Sequence, residues 1–415
     1  MTQLPMTPAL GLIALTTACE LTITPLPEPP PIIEAAVEPG YPQLDAPCRG
    51  PNPAPTHLVV TSTDFNTGAV GLVDLGSRRV TPDLALASSD AIPFVIDDAG
   101  RERVFIVNRF GFDYVDELDP RAELALLHQL AITPATVAAP ANPQSIILDR
   151  QGQAWVSLFG AGELHRIVFP TVDGDRPRAT AALDLRRFAD ADGIPELSRM
   201  IRCGDQLFVG AERLDRRTWT PVDGALLIPV RLPREPGDAP TLFDFDDAAP
   251  GPDAIHLRGV GTGSWRLDPS DPNQHTILAL NSGIERIDLA SGTSEWLVDE
   301  QLFADAGYGR LQLSGFGLDA SGRIWVSAAT PDYAEFRLLR VDRSGLEPEL
   351  VVEFDGLQSV TGALEIIGHE AWFADTTIGA SGLRVFDLAA HAVSEAPDSP
   401  LAVGLPPMSL APLSL

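Results

Sequence analysis

The stretch Asp190-Ala191-Asp192-Gly193-Ile194-Pro195-Glu196 is where this chain comes nearest to a metal site. Alternate carboxylates ahead of a glycine, with a glutamate beyond, set hard oxygen donors around a sharp turn, and calcium selects that chemistry. A third oxygen ligand before the glycine and a glutamate at full loop distance are both missing. A solvated acidic loop therefore accounts for the same residues. Calcium on Asp190, Asp192 and Glu196 is the one cofactor expectation the sequence supports. The seven histidines are dispersed, with His57 and His165 beside apolar neighbours and His369 at a turn. No pair has zinc spacing, and no nucleophile elbow, P-loop or dinucleotide fingerprint occurs.

The three cysteines carry a different chemistry. Cys19 follows the short apolar run Ala9–Leu15 and the small residues Thr16-Thr17-Ala18. The run is too short to span a bilayer as a helix and fits the core of a secretory signal peptide, residues 1–18. A Cys directly after Ala looks like a bacterial lipobox. Lipidation at Cys19 would place the protein in the cell envelope, on the outer membrane or cell surface, with the anchor as its sole membrane contact. Thr16 stands where a lipobox has a branched apolar residue, and no Lys or Arg precedes the run; plain secretion and a chance match in a cytoplasmic chain are the alternatives. Residues 19–55 are rich in Pro and acidic side chains, as in Pro25-Leu26-Pro27-Glu28-Pro29-Pro30-Pro31. Such a segment favours polyproline II and is expected to act as a semi-rigid spacer, the alternative being an ordered arm on the folded body. In an oxidising envelope leftover cysteines often pair, so Cys48 and Cys203 are candidates for a disulfide; two independent thiols are the other reading.

The formal net charge is −28, and with no Lys in the chain all 29 basic residues are Arg. A surface this acidic repels the phosphates of nucleic acid and the headgroups of anionic lipids. It remains compatible with a cationic partner or with divalent cations held by carboxylates. A hydrophobic content of 45% over 415 residues allows a large core, and 38 Pro with 35 Gly suit many short strands joined by turns.

The elements that must position any site are announced by a repeat. Asp149-Arg150-Gln151-Gly152-Gln153-Ala154-Trp155-Val156-Ser157 returns as Asp319-Ala320-Ser321-Gly322-Arg323-Ile324-Trp325-Val326-Ser327. Weaker copies, Gly368–Ala374, Gly204–Gly210 and Gly100–Ile106, carry Trp372, Phe208 and Phe105. Each is an apolar run, a tight Gly/Asp turn and a second apolar run with an aromatic at its centre, the signature of a β-hairpin. Hairpin pairs at this spacing predict an all-β, seven-bladed propeller of four-stranded antiparallel blades over residues 56–415. The first unit lacks an inner strand, and Leu405–Leu413 supplies a spare one, so the carboxyl-terminal strand is expected to complete the first blade and close the ring.

The pattern Asp-x-x-Gly-x-x-Trp-Val-Ser resembles the NHL, YVTN and virginiamycin-lyase-like propeller families, and the resemblance covers the chain from about residue 56 to its end. The acidic body with a Pro-rich tether also looks like the uncharacterised surface propellers of bacterial envelopes. These families include enzymes and binding modules, so the resemblance implies fold more than activity. The axial His or metal sets of the virginiamycin-lyase-like and gluconolactonase-like enzymes have no residue-by-residue match here.

In a propeller, loops between second and third strands open on the face where ligands sit. Here they carry Asp64, Asn66, Asn108, Arg109, Glu212, Asn281, Asp332 and Asp375. Such a set binds a cation, or merely satisfies its own turns. His256, on the expected inner strand of the fifth unit, is the one base expected to face the channel, a packed core histidine being the competing reading. The leading functional expectation is a non-enzymatic envelope lipoprotein, monomeric, presenting a loop-rich face to a protein, glycan or small ligand. The alternative is a metal-dependent hydrolase or lyase at the channel mouth.

Overall fold

Apolar runs without polar interruption mark the second strands of the blades because these strands are buried on both sides. In Val104-Phe105-Ile106-Val107, side chains alternate between two neighbours: Val104 and Ile106 pack toward one blade, Phe105 and Val107 toward the next. The computed structural model describes residues 28–48, 54–98, 100–137, 139–170, 176–222, 224–235, 237–246, 251–259, 263–333, 335–345, 347–355, 363–389 and 393–415. These form seven blades in a ring, each with four antiparallel strands, in sequence order from the axis outward in every blade but the first. The blades take their inner strands, in order, from Pro407–Leu413, Ala91–Asp98, Pro143–Leu148, Leu197–Cys203, Trp265–Leu267, Gln312–Leu318 and Leu364–Ile367.

Blade 1 is completed by the carboxyl terminus, as the sequence predicts. Pro407–Leu413 pairs antiparallel with His57–Thr63, in a register that sets Leu413 opposite His57 and Leu410 opposite Val60. The first and last strands of the ring therefore share one sheet, and the ring has no open edge at its seam.

The core is divided among the blade interfaces. Seven apolar clusters of buried residues each lie between two adjacent blades. Trp155, Trp325 and Trp372, all fully buried, occupy the same place on the second strands of blades 3, 6 and 7, and each packs against the following blade. A buried aromatic of this size removes about 150–250 Å² from water, roughly 4–6 kcal/mol at 25 cal/mol per Å².

Two expectations are corrected. The inner strand of blade 5 is Trp265–Leu267, paired with Thr276–Leu280. Ile255–His256 instead pairs with Leu226 and Leu227 of blade 4. Ile255 and Leu257 are buried in the interface between blades 4 and 5, so the two-residue period turns His256 outward to solvent, away from the channel.

The second correction concerns the tether. Residues 19–27, Cys19 among them, and 49–53 lie outside the described residues, but residues 28–48 are an arm laid on the disc. Ile32–Ile33 adds a parallel strand to the rim of blade 3, and Ala36–Pro39 another to the rim of blade 4. The Tyr41 hydroxyl donates to the carbonyl of Leu289 in blade 5 at 2.8 Å. Cys48 is joined to Cys203 by a disulfide at the first hairpin of blade 4. The outer strands left exposed backbone groups, and the Pro-rich segment satisfies some of them.

Candidate functional site

Alternating strand direction gives the disc two faces. The loop face carries the connections between blades and the loops between second and third strands; the turn face carries the first and third hairpins of each blade.

The loop face holds most of the residues singled out in the sequence, but they do not form one ring of ligands. Asp64 is exposed and accepts from the backbone N–H of Asn66 and Thr67 at 2.9 and 2.7 Å, so it shapes its own turn. Asn66 returns its amide to the Asp64 carbonyl. Asp332 accepts from the Thr330 hydroxyl at 2.6 Å. Asn281 is bonded to Glu285 and to the Gly283 N–H, and it borders a cavity of about 380 Å³ with Arg310, Gln312 and Pro331.

Asn108 and Asp375 are fully buried within their own blades. Asn108 accepts from Ser88 N–H at 2.7 Å and donates to Asp116 at 3.0 Å. Burial pushes the Asp116 carboxyl up to about 6, against the lowering effect of its bonds from Gln129 and Asn108. Asp375 takes bonds from Thr377 N–H at 2.9 Å and Arg384 Nε at 2.7 Å. Both residues brace structure; neither presents a ligand atom to the face.

The calcium expectation meets a different occupant. Glu196 is buried at a left-handed φ of 47° and accepts from Leu214 N–H at 3.0 Å and Arg216 Nε at 2.9 Å. Asp192 lies 3.9 Å from the same guanidinium, while Asp190 is spent on the Asp192 N–H. Arg216 thus stands where the sequence placed a cation. Burial raises Glu196 to about 7, with Asp192 adding to the effect and Arg216 opposing it. Among the described residues, no three His, Cys, Asp or Glu side chains are placed to share a metal ion.

What converges in the channel is a set the sequence reading missed. Arg266 of blade 5 reaches past blade 6 to blade 7, where it donates to Glu365 at 2.6 Å and to the Leu364 carbonyl at 3.3 Å. Arg199 of blade 4 reaches past blade 3 and lays its guanidinium 5.6 Å from the Phe94 ring centroid of blade 2, while its Nε donates to the Gly263 carbonyl at 3.1 Å. Among the described residues Arg199 has no carboxylate within ion-pair distance. Burial pushes its pKa down to about 10, helped by Arg109 and Arg266 and opposed by Glu212 and Glu365. Burial also raises Glu365 above the usual carboxylate range, against the pull of Arg266 and Arg199. Arg109 is spent on Asp90 and on the side-chain amide oxygen of Gln144 at 2.7 Å.

Exposed aromatics stand on the same face of the disc. Every exposed aromatic among the described residues, Phe65, Phe110, Phe112, Trp219 and Tyr333, lies in a loop between second and third strands. Phe65, Phe110, Trp219 and Tyr333 have φ of 68°, 50°, 56° and 55°. A bulky residue in this region costs on the order of 1–3 kcal/mol, so the loops hold these rings outward against a local penalty. The sequence signal for the channel set was a charge inside an apolar strand, as in Leu364-Glu365-Ile366-Ile367.

No family model and no curated protein matches the sequence. Among solved structures it resembles a candidate 6-phosphogluconolactonase of Bacteroides fragilis, with a TM-score of 0.57 and 13% identity over 86% of this chain and 98% of that one. The periplasmic gluconolactonase of Pseudomonas aeruginosa gives 0.57 and 15%, over 86% of this chain and 99% of that one. A candidate 6-phosphogluconolactonase of Bacteroides uniformis gives 0.55 and 10%, over 86% and 99%. At these identities the likeness is one of fold: the chain is a seven-bladed β-propeller of the kind that also includes gluconolactonases, in keeping with its NHL-like and virginiamycin-lyase-like repeats.

Proposed function

We propose that this protein is an envelope propeller that binds a small acidic carbohydrate at the loop-face mouth of its channel. The observation that carries the reading is Arg199, which with Arg266 brings two guanidinium groups into the channel, where Glu365 bonds Arg266 and, with Glu212, acts on Arg199 without forming an ion pair among the described residues, in a chain of net charge −28. A guanidinium without a carboxylate partner in a confined, partly desolvated space is a receptor for a carboxylate. Sugar rings stack on aromatic faces, and the exposed aromatics of the loop face supply such faces on the same side of the disc. The gluconolactonase fold of the neighbouring structures makes sugar acids the first class to test.

Calorimetric titration with gluconate, using glucose as the neutral control, tests it. Gluconate should bind and glucose should not, and Arg199→Gln should weaken gluconate about tenfold or more, the value of one charge-assisted bond. Gluconate binding that is absent, or indifferent to Arg199→Gln, ends the proposal.

A hydrolytic reading is favoured by Glu365 itself. A carboxyl group with raised pKa beside two guanidinium groups is placed to relay a proton while the cations stabilise an oxyanion, the needs of lactone opening by water. Hydrolysis of glucono-δ-lactone above its spontaneous rate, lost in Glu365→Gln, would establish this reading; no acceleration leaves a binding protein. The envelope location rests on the lipobox-like sequence at Cys19. Cys19→Ala should release the protein from membranes, and retention of lipid label in that variant would refute the anchor.

A further inference from the structure

Arg199 meets blade 2 well below the rim of the loop face. Its guanidinium lies 5.6 Å from the ring centroid of Phe94, which sits three residues inside Ala91 on the inner strand. Ala91 pairs with Asn108, the residue at which the loop between second and third strands begins. At about 3.3 Å per residue, Phe94 is therefore about 10 Å down the channel from that loop. The loop carries two exposed rings, Phe110 and Phe112, and Phe65 stands exposed on the equivalent loop of blade 1. Strands within a blade are about 4.8 Å apart, so both loops also stand further from the axis than the inner strands. A single sugar unit whose carboxylate reaches Arg199 is too short to touch these rings.

Resting on the channel reading above, we propose that the acidic unit held at Arg199 is the end of an oligosaccharide whose further rings climb the wall of blade 2 and stack on Phe110, Phe112 and Phe65. Aromatic faces give such rings apolar area to cover. The same two loops carry Asp64 and Asp113, in a chain of net charge −28, and these carboxylates repel further acidic units. The ligand class is an oligosaccharide with one carboxylate at its end and neutral rings behind it, an aldonic acid of two or more units.

Calorimetric titration of the full chain with gluconate, cellobionate and cellotetraonate tests this, with neutral cellotetraose as the control. Affinity should rise with length, cellotetraonate binding about tenfold or more tighter than gluconate. Phe65→Ala, Phe110→Ala and Phe112→Ala combined should erase that ratio. Leu86→Ala, on the outer strand of blade 1, should preserve it. All four side chains are exposed, so none of these changes removes core. Equal affinity for gluconate and cellotetraonate, or a ratio that survives the triple variant, overturns the oligosaccharide assignment and leaves the channel reading in place. Binding of neither acid, or cellotetraose binding as tightly as cellotetraonate, overturns the channel reading itself and the assignment with it.

Discussion

Trp325 donates its indole N–H to Asp319 Oδ2 at 3.0 Å, so the first and the aromatic residue of the repeated phrase are bonded to each other across their hairpin. Trp155 and Asp149 make the same bond at 3.2 Å. The other carboxylate oxygen of each Asp accepts backbone N–H groups of the turn, from Ser321 and Arg323 in one blade and from Gln151 and Gln153 in the other. One side chain thus closes the turn and satisfies the only polar atom of a buried indole.

Trp155→Ala should therefore destabilise the fold by about 3–5 kcal/mol, whatever ligand is present. Asp149→Ala, which strands the indole N–H and the turn amides, should cost about 1–3 kcal/mol. Urea unfolding measures both. Unchanged stability in Trp155→Ala would contradict the inter-blade packing.

Removal of residues 405–415 takes away the inner strand of blade 1 and reopens the ring. Leu410, Ala411 and Leu413 are buried in the two interfaces of that blade, so both lose part of their core. The truncated protein should melt well below the full chain, and thermal denaturation followed by circular dichroism would show it. Coincident melting curves would mean that the seam carries little of the stability.

Arg343 of blade 6 grips Asp268 of blade 5 with two bonds of 2.7 Å, and Asp268 has no exposed surface. Burial alone would raise this carboxyl, but the bonds from Arg343 and Ser270 hold it far below the usual range. A lowered carboxylate stabilises the fold above the ordinary value of about 3.9 and loses that contribution as pH falls through its folded value. Asp268→Asn should cost about 3–5 kcal/mol at neutral pH, because it leaves the half-buried Arg343 without its charge partner. The gap between variant and parent should narrow below about pH 4; a gap independent of pH would exclude the ion pair as its cause.

Glu365 titrates in the opposite sense. Its raised pKa means that acidification neutralises it before ordinary carboxylates, which frees Arg266 and makes the channel more cationic. Gluconate affinity should rise as pH falls through that range, until the ligand itself protonates. In Glu365→Gln the affinity should be higher at neutral pH and flat over the same interval. A parent protein whose affinity falls on acidification would contradict this assignment.

The blade pattern could be read from the sequence because it is local. Turn Asp, Gly and buried Trp lie within one hairpin, and their spacing follows from the two-residue strand period and the reach of an indole N–H. The closing strand was legible for a similar reason, since Leu405–Leu413 has the pattern of an inner strand and the first unit visibly lacks one. Loop amides were a different matter. An Asn or Asp beyond a strand can face a ligand or satisfy its own blade, and only the packing around Asn108 and Asp375 turned them inward. His256 was misplaced by the same limit, because Ile255 and Leu257 suit the core of either adjoining blade. The channel set was out of reach altogether. Arg199, Arg266 and Glu365 come from three blades and meet only because a closed ring of seven points its inner strands at one axis, where long side chains can cross over an intervening blade. Strand period fixes which face a residue occupies within its own blade; which strangers it meets at the axis depends on the closure of the ring.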